Sequence, residues 1–131
     1  MKPLSSQYDH KKAEKRLQGQ WVNLGVYAWN KNATRDENFV IDTPPPTVSG
    51  VLHMGHIYSY TQADFVARYM RMRGYNVLLP MGFDAFGLPA ENAAIRNNIH
   101  PYKWTMANIE RMRKQMKRMG AMFDWEREVI T

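Results

Sequence analysis

The chain has 131 residues, 44% of them hydrophobic, with a formal net charge of +6 and no cysteine. That is enough chain for one modest domain with a core, and it excludes disulfides and thiolate metal sites. No apolar run approaches the length of a membrane span, and the opening MKPLSSQYDHKKAEK lacks the apolar centre of a signal peptide, so a cytoplasmic protein is expected.

The elements follow in order. Residues 9–25 carry Ala13, Leu17, Trp21 and Leu24 at helical spacing, with Asp9 placed to cap the start and Gly25 to end the helix. The polar stretch 30–38 resembles a linker. NFVIDT, residues 38–43, is a β-branched run that suits a buried strand, and Pro44, Pro45 and Pro46 should stop its ladder because proline has no N–H to donate. A second helix is expected over 54–74, with Ile57, Tyr60, Asp64, Ala67 and Met70 on one stripe. NVLLPM, residues 76–81, reads as a second strand, and 82–87 as the loop at its end. Helices over 88–97 and 102–119 follow, the latter with Ile109, Met112, Met116 and Met119 on its apolar face and Gly120 as its stop. Residues 126–131 suit a strand or a frayed end. The basic run 111–118 can attract nucleic acid or phosphate, but it equally suits a solvated helix face.

Strand, helix, strand makes a βαβ unit, which builds a parallel sheet with helices packed on it. The expected class is therefore α/β. Ligands of such sheets bind beyond the carboxyl ends of the strands, here residues 43–50 and 82–87, and the unusual residues cluster at both. At the first end, PPPTVSGVLHMGH runs into a helix start that bears His53 and His56. A helix N-terminus attracts anions, and two imidazoles there can donate hydrogen bonds to phosphate oxygens, while Gly50 and Gly55 permit a sharp turn or the close approach of a ligand. The same histidines could instead cap and pack the helix, or form a metal pair that lacks a third ligand. At the second end, Asp84 in GFDAFGLPAEN could hold an ammonium group, or it could shape its own loop. Glu91 and Asn92 suit a helix surface.

PPPTVSGVLHMGH followed by GFDAFGLPAEN resembles the first half of the catalytic domain of class I aminoacyl-tRNA synthetases for branched aliphatic amino acids. The resemblance spans about residues 8–131. It implies a partial Rossmann-like fold of the HUP type, with 1–131 as a single domain made of an N-terminal helix and linker (1–37) and a Rossmann-like half (38–131). It also implies ATP, with Mg2+, as substrate. His53 and His56 match the two histidines of the HIGH signature that contact ATP phosphates and stabilise the transition state. Gly55 matches the signature glycine beside adenine. Asp84 matches the carboxylate that holds the substrate ammonium, and Pro44, Pro45, Pro46 and Thr47 match the wall of the amino-acid pocket.

The cognate amino acid is divided between two signals. DTPPPTVSG and YSYTQ resemble valyl enzymes, whereas GYNVLLPMGFDAFGLPAENAAI and IHPYKWTMANIERMRKQMKRMG resemble leucyl enzymes and cover more of the chain, so leucine is favoured over valine. No KMSKS sequence is present, which places the likeness in the N-terminal half of the catalytic domain. From this follow exposed apolar surface, an unpaired sheet edge, and association with a complementary C-terminal half or with a second copy; tRNA would be a partner in the full-length setting. The alternatives to catalysis are an ATP- or RNA-binding module without chemistry and a fragment with no separate role.

Overall fold

The computed structural model describes residues 7–131, so the first six residues of the expected N-terminal segment lie outside it. The helix α1 (His10–Asn23) starts where expected: Asp9 is its N-cap and accepts from the Lys12 amide at 3.1 Å. Its apolar stripe buries less than its spacing suggests. No residue of α1 is fully buried, and Leu24, expected on the stripe, is 75% exposed.

Residues 30–38 do not behave as a linker. A 3₁₀ turn, Arg35–Glu37, is closed by a reciprocal Thr34–Glu37 capping box. Asn38 then accepts from the Trp29 indole at 2.8 Å and from the Asn76 amide at 2.6 Å, while its own amide donates to the Thr34 carbonyl. Asn76 also exchanges hydrogen bonds with the backbone of Asn30. Short polar side chains that bond to nearby backbone give this segment fixed structure without an apolar core.

The sheet is parallel throughout. Strand β1 (Asn38–Val40) pairs with β2 (Asn76–Leu78), and β3 (Pro80–Phe83) pairs with β4 (Asp124–Ile130). Strands β2 and β3 are one extended run interrupted at Leu79. The Leu78 carbonyl accepts from Ile41 on one side and the Leu79 carbonyl accepts from Asp124 on the other, so the run 76–84 lies between its two neighbours. The expected ending at residues 126–131 is thus a strand, not a frayed tail. The prolines interrupt the first ladder but do not end it: past them, Thr47 bridges to Asp84, with the Asp84 amide donating to the Pro46 carbonyl and the Val48 amide donating to the Asp84 carbonyl. A proline lacks a donor but keeps its acceptor, and the ladder uses that acceptor.

Along the central run, Val77, Leu79, Met81 and Phe83 are buried and the residues between them are half-buried. The buried set forms one core with Tyr60 and Ala67 of α2 (Met54–Met72) and with Ile109, Met112 and Met116 of α4 (Pro101–Met119). The opposite face is less covered than an all-parallel sheet normally is. Asp64 interrupts the apolar stripe of α2 because the chain end of α4 lands on it. One carboxylate oxygen accepts from the Met122 amide at 2.6 Å and the other from Arg68 Nε at 2.8 Å, and Arg68 also donates to the Gly120 carbonyl. Gly120, with φ +70°, ends α4 as its left-handed cap. The short helix α3 (Leu88–Arg96) precedes α4 and presents Glu91 and Asn92 on its exposed side.

In the basic run, Arg113 is not a solvated residue. It grips Glu128 of β4 with two bonds of 2.6 and 2.8 Å, which ties α4 to the sheet, whereas Arg111 and Arg118 are exposed. Among the described residues no helix is long and apolar enough to cross a membrane. The expected exposed apolar surface is present, including Tyr58, Phe65 and Met72 on α2 and Phe86 beyond β3.

Gly82 sits where β3 and β4 come closest: a Cβ there would stand 2.7 Å from the Val129 carbonyl oxygen. Gly82→Ala should therefore cost about 1–3 kcal/mol and lower the thermal midpoint by several degrees. Gly50→Ala, where nothing lies within 4 Å, is the control that should leave the midpoint unchanged. Equal midpoints for the two variants in a calorimetric scan would contradict this packing.

Candidate active site

The Pro44–Thr47 segment, His53, Gly55, His56, Ser59 and Tyr60 line one crevice of about 460 Å³ at the carboxyl end of β1. Seven of the eight residues expected at the site are therefore brought together. The eighth, Asp84, adjoins the crevice through its backbone pairing with Thr47 and is not part of its lining. Its carboxylate makes no hydrogen bond or ion pair with any described residue, and α3 is capped by Gly87 without a side-chain bond. The reading of Asp84 as a loop-shaping or capping residue is not what the structure shows.

The histidines have a defined arrangement. His53 is the N-cap of α2, and its Nδ1 accepts from the Gly55 amide at 3.1 Å. His56 Nδ1 accepts from the His53 amide at 3.2 Å. The two imidazoles thus form a capping box in which both Nδ1 atoms are acceptors. Such a network assigns the ring proton of each neutral imidazole to Nε2 and leaves two Nε2–H donors for a ligand. The amides of His56 and Ile57 both turn back to the His53 carbonyl. The donors of this helix start are therefore mainly imidazoles rather than free amides. The capping role and the ligand-facing role are compatible, because they use different nitrogens of the same rings.

The ring centroids lie 4.0 Å apart. Burial, and then the neighbouring His53, hold His56 below the usual histidine range, so His56 is neutral near pH 7. Gly55 has a structural reason of its own. A Cβ at this position would meet His53 Cε1 at 2.9 Å, so the ring occupies the space that sequence reading reserved for a ligand. Gly50 shows no left-handed backbone and opens onto free space, so it is not needed for a sharp turn.

Two contributors escaped the sequence reading. Tyr60 appears there only as a core residue, yet it lines the crevice and its hydroxyl donates to the Pro44 carbonyl at 3.1 Å. Its spacing of four residues from His56 on one helix is the signal that could have found it. Gln115 of α4 accepts from the Leu52 amide at 3.3 Å and so steadies the loop just before His53. No local pattern reveals a contact across 63 residues.

Comparison with known proteins gives the family. The family model described as tRNA synthetases class I (I, L, M and V) matches residues 16–101. The chain is 52% identical over 124 residues to a leucine--tRNA ligase of Nitratidesulfovibrio vulgaris, covering 95% of this chain and 15% of that protein. It is 53% identical over 129 residues to the leucine--tRNA ligase of Deinococcus radiodurans, covering 98% of this chain and 16% of that one. Among solved structures, the ternary complex of Agrobacterium radiobacter K84 agnB2 LeuRS with tRNA and LeuAMS superposes with a TM-score of 0.91 at 38% identity, over 95% of this chain and 16% of that chain. The chain thus spans about one sixth of the length of these relatives. The matched stretch spans the crevice residues and Asp84, and the chain belongs to the class I tRNA synthetases of the I, L, M and V group.

Proposed function

We propose that this chain carries the ATP- and leucine-binding half of a leucine--tRNA ligase active site, acting in the cytoplasm to form leucyl-adenylate for transfer to tRNA. The observation that carries this reading is the pair of Nε2–H donors at the start of α2, in one crevice with the Pro44–Thr47 wall and next to the unpartnered Asp84 carboxylate. The named relatives favour leucine over valine.

In this reading the triphosphate lies against His53 and His56. Leucine lies along the proline segment with its ammonium at Asp84, which leaves its carboxylate directed at the α-phosphorus. A carboxylate oxygen forms the new bond to phosphorus while the bond from the α-phosphorus to the bridging oxygen breaks. The electron pair leaves with pyrophosphate. No residue of the chain is covalently modified. The two Nε2–H groups act by holding the phosphates in line and by stabilising the charge that builds on them. Magnesium belongs to this reading as the counter-ion carried by ATP, and among the described residues no cluster of three or more acidic or histidine side chains that could hold a metal ion is present. The open edges of β1 and β4, with Val40 59% and Val129 60% exposed, suit cover by the remaining part of a synthetase or by a second copy of the chain.

The His56 imidazole tests the phosphate assignment. In free protein it should titrate below the ordinary histidine range by NMR, and saturating ATP should move its midpoint upward, because phosphate charge favours the imidazolium. Folding stability should likewise fall as pH drops below the unfolded-state histidine value, since the unfolded chain then binds the extra proton. An unmoved midpoint with ATP bound would place the phosphates elsewhere.

Asp84 tests the amino-acid assignment. By calorimetry, Asp84→Asn should weaken binding of a leucyl-adenylate analogue about 10- to 100-fold, the range for a lost hydrogen bond to a charged group, and should leave ATP affinity unchanged. Equal weakening of both ligands would contradict a role confined to the ammonium.

A further inference from the structure

Residues 42–45 run between two pinned points, the Ile41 amide on Leu78 and the Pro46 carbonyl on Asp84, and Pro44 and Pro45 of this span line the crevice. Prolines 44 and 45 have no N–H, and the Thr43 hydroxyl is buried without a partner. Among the described residues, the one hydrogen bond that holds this span is donated by Tyr60 to the Pro44 carbonyl. Tyr60 is 3% exposed, and its ring is fixed from two sides. It stacks on His56 at 6.0 Å with 23° between the planes, and it meets Phe123 edge-on at 6.0 Å and 86°.

We infer that Tyr60 is a positioning residue that couples the proline wall of the crevice to the second histidine. Resting on the assignment of the crevice to leucine and ATP, the inference makes one side chain set the spacing between the two substrates. Its ring, wedged against Phe123, backs His56, and its hydroxyl holds the wall at Pro44. Burial pushes its phenol up to about 12, so it is a protonated donor at neutral pH. The two halves of this role are separable, because phenylalanine keeps the ring and removes only the hydroxyl.

The test is Tyr60→Phe in the 131-residue chain. Loss of the hydroxyl should free the wall and speed hydrogen exchange at the Val48 and Asp84 amides, whose bonds pin that wall, about tenfold. The amides of α4 and the thermal midpoint should stay near their starting values. In leucine-dependent ATP–pyrophosphate exchange, kcat should fall about tenfold and the KM for leucine should rise, while the KM for ATP stays within about twofold. Unchanged exchange at Val48 and Asp84 would overturn the inference. So would a uniform speed-up across the chain with a lower midpoint, which marks an ordinary core residue. A parent chain that shows no leucine-dependent reaction would count against the proposed function alone, because the amide readout needs no catalysis.

Discussion

The parallel pairing of the run 76–84 on both of its sides is the constraint from which the rest of the molecule is arranged. Backbone carbonyls at successive positions, Leu78 and Leu79, face opposite neighbours. The strand ends of 38–48 and 124–131 are thereby brought to the same end of the sheet. That end is where Thr47 meets Asp84 and where Thr131 closes onto Phe83 and Ala85. Helices α2 and α4 pack their buried faces on the alternate residues Val77, Leu79, Met81 and Phe83. The start of α2 follows from this packing, and with it the position of both histidines. The Asp64–Arg68 pair then locks α2 to the turn after α4.

The histidine pair shows how one pair of side chains meets two demands. A helix start needs acceptors for its first amides, and Nδ1 of each ring supplies one. A phosphate site needs donors, and the opposite nitrogen of each ring is left to provide them. Serine or aspartate would cap as well, but neither would keep a second, outward-facing donor of this kind. Gly55 belongs to the same device, since any side chain there would displace the His53 ring. With His56 neutral, the pair at 4.0 Å also avoids the repulsion that two imidazolium groups would suffer without an anion between them.

Much of this was legible in the sequence, for reasons that differ from element to element. Helix α4 showed itself through apolar spacing and Gly120, and α1 through Asp9, because capping and periodicity are local signals. The two strand ends stood out because proline, glycine and histidine are costly there unless something requires them. What escaped was decided by distant contacts. Residues 30–38 looked like a linker until Asn76, far along the chain, gave Asn38 a partner. The prolines were expected to end a ladder that resumes at Thr47, because only the tertiary register shows that their carbonyls still accept. Asp64 looked like a fault in an apolar stripe, and Arg113 like one charge among several, until Met122 and Glu128 were placed beside them. The two motifs disagreed on leucine against valine, with leucine favoured by the longer one, and similarity over nearly the whole chain to leucine--tRNA ligases supports leucine as the proposed substrate.

The central claim is that the His53–His56 pair and the proline wall together activate leucine. Amino-acid-dependent ATP–pyrophosphate exchange by the purified chain tests it most directly, with leucine, valine, isoleucine and methionine compared and His56→Ala as the control. Exchange should be strongest with leucine and fall about 100-fold or more in the variant, the usual cost of removing one transition-state donor. Exchange that is indifferent to the amino acid, or equal in the variant and the parent chain, would contradict it.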